Sequence, residues 1–288
     1  MWRMLIAECG ASGAHVGSRA EPALASLVRP RIPAGFESDE LAPFSFRVYA
    51  PGWGGLDPNA VPWTLLRKRP ADHPPYRLAK RSSLRTVVGF NHNGTSIFLK
   101  RSLQTNSFKR LLDRFRGSKE WRELELALAF QRGGFSVPDP LFYAEGSDRE
   151  HGRVRYYATR ALAPDLVSHY DLMVAAPGFG ERWLALARFT ARLHNAGFFH
   201  GDYRGLHLFI RPDRPEEVTM IDLDGSRVGE DVSAAQRATA IMQLTKSMVK
   251  FSVSEADVDR FLHAYDPARK FPLSARAILA AAQATPDE

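Results

Sequence analysis

The 288-residue chain predicts an α+β fold in which an antiparallel sheet is followed by a mainly helical half. Three observations carry that expectation. Short β-prone runs bounded by turn residues crowd the stretch from Trp63 to Thr159. Further on, Trp183, Leu186, Phe189, Thr190 and Leu193 recur at three- and four-residue steps, which places them on one helical face. After that helix comes a hairpin with a carboxylate at each end, Asp202 before it and Asp222 after it.

Residues 1–62 are punctuated by Pro and Gly and read as a loop-rich extension. Within it only Phe44 to Tyr49 alternates as a half-buried strand does. Trp63 to Arg69 and Ser83 to Phe90 follow as strands. Asn91-His92-Asn93-Gly94 then predicts a tight hairpin, because Asn-Gly accepts the positive φ of a type I′ turn. The returning strand, Thr95 to Lys100, alternates until it ends on a lysine. Ser118 caps a helix that runs to Gln131, with Trp121, Leu124 and Leu128 on one face and Gly133-Gly134 as its stop. Val137 to Tyr143 and Val154 to Thr159 complete a sheet expected to have five strands, and Ala161 to Leu166 forms a hinge.

The helix of Trp183 to Leu193 ends at Gly197, a left-handed stop. His200-Gly201-Asp202 lies on the loop that follows. Leu208 to Ile210 and Val218 to Ile221 are short strands joined by the polar turn Arg211 to Glu217, and they deliver Asp222 and Asp224. Carboxylates at strand ends beside a sharp loop suit the positioning of a hydroxyl and the holding of a divalent cation on a nucleotide. Ala234 to Phe251, a Ser254-capped segment and Leu273 to Ala284 are the remaining helices.

Composition narrows the classes. The only cysteine, Cys9, excludes an internal disulfide framework, so a reducing, cytoplasmic compartment is expected. No run approaches the ~18 apolar residues of a membrane span, and the apolar core of MWRMLIAECGASG is too short for a secretory signal. The net charge of +7 is arginine-dominated, which suits phosphate-rich partners or a merely soluble surface. Nucleic acid is not expected, because the basic residues are scattered and no aromatic residues interleave them.

The sequence LHNAGFFHGD, with His207 five residues after Asp202 and Ile221-Asp222-Leu223-Asp224 beyond, resembles the lipopolysaccharide core kinases. These belong to the protein-kinase-like superfamily and phosphorylate heptose or Kdo sugars. The resemblance spans roughly Arg85 to Asp266. It implies a two-lobed protein-kinase-like fold, with a small antiparallel-sheet lobe over residues 63–162 and a mainly helical lobe over 163–288. It also implies an ATP-dependent phosphotransferase using Mg²⁺, or Mn²⁺, on a sugar or glycolipid, in the cytoplasm or peripherally at the cytoplasmic face of the inner membrane.

By the same resemblance Asp202 is the base or aligner of the acceptor hydroxyl, Lys100 pairs with the nucleotide phosphates, and Asp222 holds the metal. Glu120 or Glu123 forms the ion pair with Lys100, and the position of the Glu-Trp dipeptide favours Glu120. His207 stands where protein kinases place a metal-binding Asn. It is either a ligand, which as an imidazole would favour Mn²⁺, or a hydrogen-bond partner of Asp202. Asp224 is a second ligand or a turn residue, whereas His194 and His200 are structural.

Two departures matter. No G-x-G-x-x-G loop precedes the first hairpin, where Leu78 to Ser83 forms the equivalent turn. No A-P-E segment follows Asp224, which argues for a small substrate rather than a protein. A kinase of another small-molecule class and a nucleotide-binding pseudokinase or adaptor are the alternatives.

Overall fold

The computed structural model describes residues 47–49, 77–81, 85–92, 94–104, 118–148, 152–176 and 178–284. Six described strands form one antiparallel sheet. They are β1 (Arg47–Tyr49), β2 (Arg77–Arg81), β3 (Arg85–His92), β4 (Thr95–Gln104), β5 (Pro140–Asp148) and β6 (Gly152–Arg160), in spatial order β1-β5-β6-β4-β3-β2. Two of these described strands, β1 and β2, are not among the five expected. The alternating segment ending at Tyr49 supplies β1, which pairs Tyr49 with Tyr143 at the sheet edge. Leu78 to Arg81 is strand rather than turn, so the β2–β3 connection falls at residues 82–84, outside the described residues. The strand expected at Trp63 to Arg69 also lies outside them.

The β3–β4 hairpin pairs His92 with Thr95, and Gly94 takes φ +76°, the left-handed value that glycine tolerates freely. Helix α1 (Lys119–Arg132) begins at Ser118, whose hydroxyl accepts the Trp121 N–H. One part of α1 packs on the sheet: Leu124 is fully buried against Tyr143 and Tyr157. Further along, Ala127 and Phe130 enter the main core, where the Phe130 ring meets Phe198 edge-on at 4.9 Å. The helix thus ties the sheet to the helical half.

A two-residue strand, β7 (Val167–Ser168), leads into that half. It comprises α2 (His169–Ala175), α3 (Glu181–Asn195), α4 (Ala234–Met248), α5 (Glu255–Tyr265) and α6 (Ala275–Ala284). Helix α3 is its centre. Trp183, Leu186, Phe189, Thr190, Leu193 and His194 are all buried, as the spacing predicts. The Trp183 indole N–H donates to the Asp257 carbonyl at 3.0 Å, which fixes α5 against α3. A buried polar group closes the other end: Arg237 donates to Tyr265 Oη at 2.8 Å and to the His194 carbonyl at 3.2 Å.

Candidate active site

Gly197 ends α3 with φ +80°, and a Cβ there would stand 1.9 Å from the Gly229 carbonyl oxygen. The chain then makes β8 (Phe198–Phe199) and turns into His200-Gly201-Asp202. A one-turn helix, Gly205–His207, leads to β9 (Leu208–Arg211) and β10 (Arg214–Met220). The expected hairpin is present, with Met220 opposite Leu208. Beyond it, β11 (Arg227–Val228) returns to pair with β8.

His200 is buried and joins the two ends of this unit. Its Nδ1 accepts the Asp202 N–H at 3.1 Å, so Nε2 carries the proton and donates to the Ile221 carbonyl at 2.9 Å. Burial holds its pKa down to about 4, outweighing the bond to Ile221 and the nearby carboxylates that raise it. One neutral imidazole therefore sets Asp202 and Asp222 relative to each other, the bracing role expected of His200.

Helix α4 holds the loop from below. Gln243 accepts the Tyr203 N–H at 3.0 Å and donates to the Gly201 carbonyl at 3.3 Å, and Ser247 accepts the Gly205 N–H at 3.0 Å. Tyr203 is fully buried, with its hydroxyl 2.7 Å from Thr190 Oγ1 on α3. Gly201 packs so closely on the segment after Asp222 that a Cβ would fall 2.4 Å from the Gly225 carbonyl carbon. Sequence reasoning did not find Gln243 or Ser247. Two polar residues four apart beside the buried Leu244 and Met248 were the available signal.

The half-buried Asp202 carboxylate accepts a bond from Arg204 at 2.5 Å. His207 Nδ1 lies 2.9 Å from the Asp202 main-chain carbonyl and 3.4 Å from its Oδ2. A proton on Nδ1 serves the carbonyl and leaves Nε2 with its lone pair. Asp222 adopts φ +54°, a left-handed conformation that costs a non-glycine residue ~1–3 kcal/mol and is best tolerated by Asp and Asn. Burial raises its pKa, but Lys100, His207, Arg85 and Lys119 together hold the carboxyl below its ordinary value. Its Oδ1 is buried and accepts no hydrogen bond among the described residues. Donor atoms of Asp202, His207 and Asp222 lie within 4.8 Å of one another. Two carboxylates, one with an unpaired buried oxygen, and an imidazole fit a divalent cation.

Lys100 sits on β4 opposite Val87 and Tyr157, and pairs with Glu123 Oε1. The expected partner, Glu120, is not the one used. Both glutamates are buried, but Glu123 stands one turn further along α1 and is the carboxylate that meets Lys100. Glu123→Gln is expected to weaken nucleotide binding about 10-fold, the usual cost of removing a charge-assisted hydrogen bond, while α1 stays helical by circular dichroism. Unchanged binding would show that the pair is merely structural. Asp224 pairs with Lys119 at the start of α1 and lies outside the cluster of donor atoms. On an exposed surface such a pair is worth ~1 kcal/mol at most.

The profile of the lipopolysaccharide kinase (Kdo/WaaP) family matches residues 63–265, more than two thirds of the chain. The chain belongs to that family. It is a kinase, with a sugar or glycolipid of lipopolysaccharide as substrate and ATP as co-substrate. Among solved structures, WaaP in complex with acyl carrier protein is 21% identical, with a TM-score of 0.50 over 79% of this chain and 88% of that one. WbdD, at 14% identity and TM-score 0.44, covers 72% of this chain and 44% of its own. No curated protein matches the sequence. The likeness to WaaP shows the fold of this lipopolysaccharide kinase to be two-lobed and protein-kinase-like, as expected.

Proposed function

We propose that this lipopolysaccharide kinase transfers the γ-phosphoryl group of ATP to a hydroxyl of a heptose or Kdo in the lipopolysaccharide core. The observation that carries the reading is the cluster of Asp202, His207 and Asp222 beside the Lys100–Glu123 pair. Asp202 aligns the acceptor hydroxyl and takes its proton as the oxygen attacks the γ-phosphorus. The bond from phosphorus to the β,γ-bridging oxygen breaks, and ADP leaves. Lys100, held by Glu123, neutralises phosphate charge. A divalent cation, Mg²⁺ or Mn²⁺, would be held by Asp222 with His207, and when bound it stabilises negative charge on the phosphates.

The base lies against Phe98, which is 40% exposed on the same face of β4 as Lys100 and faces Gly89 across the hairpin. The hinge beside it is fixed by the Ala161 N–H, which donates to the Ser96 carbonyl at 2.8 Å. No helix among the described residues is long and apolar enough to cross a membrane. We place the enzyme in the cytoplasm, meeting its anionic glycolipid at the inner face of the inner membrane through its arginine-rich surface.

Turnover of ATP with deacylated core oligosaccharide, against turnover without it, tests the reading. ATP consumption that ignores the acceptor, with no phosphorylated sugar formed, would overturn it. Lys100→Ala and Asp222→Ala are each expected to lose at least ~10-fold in affinity for ATP with Mg²⁺, measured by calorimetry, without unfolding. Normal binding by both would move the nucleotide site elsewhere.

A further inference from the structure

Three rungs of the β3–β4 ladder share the face that carries Lys100: Gly89 with Phe98, Val87 with Lys100, and Arg85 with Ser102. Alternation sets this face. Thr86, Val88, Phe90, Ile97, Leu99 and Arg101 point to the other side and are buried, whereas Arg85, Val87 and Lys100 are only half-buried. Rungs on one face are ~7 Å apart, so Phe98 and Arg85 bracket about 13 Å with Lys100 midway. That length accommodates a nucleoside triphosphate laid along the ladder, with its base at Phe98 and its terminal phosphate at Arg85.

The chemistry at the Arg85 end suits phosphate. Its guanidinium lies 3.7 Å from Glu123 Oε2, the carboxylate whose other oxygen pairs with Lys100. From Arg77 to Arg85 the sequence RLAKRSSLR contains no glycine. Backbone amides there cannot approach a phosphate as closely as those of a glycine-rich loop. A guanidinium matches phosphate oxygens bidentately and supplies that grip from a side chain.

We propose that Arg85 binds the γ-phosphate of the nucleotide and does by side chain what a glycine-rich loop does by backbone. The proposal rests on the nucleotide site formed by Lys100 and Asp222. On binding, the guanidinium exchanges its long contact with Glu123 for the terminal phosphate, while Lys100 keeps its partner.

Calorimetry on the full chain with adenosine, ADP and ATP in Mg²⁺ tests this, using the parent, Arg85→Ala, Arg85→Lys and Lys100→Ala. Arg85→Ala is expected to lose about 10- to 100-fold in ATP affinity, far less for ADP and nothing for adenosine. Arg85→Lys, which keeps the charge but not the fork, should fall between. Parent-like ATP binding by Arg85→Ala, with Lys100→Ala impaired, would overturn the proposal and leave the site standing. Equal losses for ATP and ADP would also overturn it, because they would show that Arg85 only braces Glu123. Were Arg85→Ala not to fold, the ATP-to-ADP affinity ratio of Arg85→Lys would decide, a parent-like ratio overturning the proposal. Parent-like ATP binding by Lys100→Ala would instead remove the nucleotide site itself.

Discussion

Asp202→Asn is expected to cut turnover by at least ~10², the usual contribution of a general base or an aligning carboxylate. The substitution keeps the shape of the side chain and removes its charge and basicity. Little else depends on that carboxylate. The bonds that shape the loop use the Asp202 main chain, its N–H to His200 and its carbonyl to His207. The side chain itself pairs with the exposed Arg204, an ion pair worth ~1 kcal/mol at most, and lies 3.4 Å from His207 Nδ1. Folding and nucleotide affinity should therefore stay near those of the parent while the chemical step fails. Single-turnover measurements with saturating ATP and acceptor isolate that step. A variant retaining more than a tenth of the parental rate would remove Asp202 from the proton transfer.

The parts of this site that the sequence revealed are local ones. His200-Gly201-Asp202, the strand pair and the left-handed stop at Gly197 each lie within one stretch, where turn chemistry and period decide the outcome. The Lys100 partner was not decidable in that way. Glu120 and Glu123 are three residues apart and point toward the same side of α1. Which one meets Lys100 depends on how far along the sheet the helix sits, and no local pattern contains that offset. Arg85 was missed for a related reason: its face and its distance to Glu123 follow from the β3–β4 register and the docking of α1. Gln243 and Ser247 act on a loop some forty residues earlier and resemble ordinary polar helix positions. Strand β1 shows the same limit, since alternation marked Arg47 to Tyr49 as extended but did not choose its edge.

Acidification from pH ~7 to ~5 is expected to cost the fold about 6 kcal/mol, through three buried histidines, His169, His194 and His200. His169 is buried against Trp183, and burial, with Arg182 adding to it, lowers its pKa to about 4. His194 is lowered to about 3, by burial first and then by Arg237. Tyr265 Oη accepts a bond from Arg237 at 2.8 Å and lies 2.9 Å from His194 Nδ1. Protonating the ring would set a second cation beside Arg237. All three folded pKa values lie below the unfolded value of ~6.5, so the unfolded chain takes up protons first. Stability is complete above that pH and is lost as pH falls from there toward the folded values. At pH ~5 each histidine costs about 2 kcal/mol, at ~1.4 kcal/mol per pH unit. Ordinary carboxylates, with unfolded values near 4, contribute little in that window. Against a total stability of ~5–15 kcal/mol the loss is large. Urea titrations at pH 7 and pH 5 read it directly, and His194→Gln should remove about a third of the difference between them. A parent protein equally stable at both values would show that none of these histidines is held neutral by the fold.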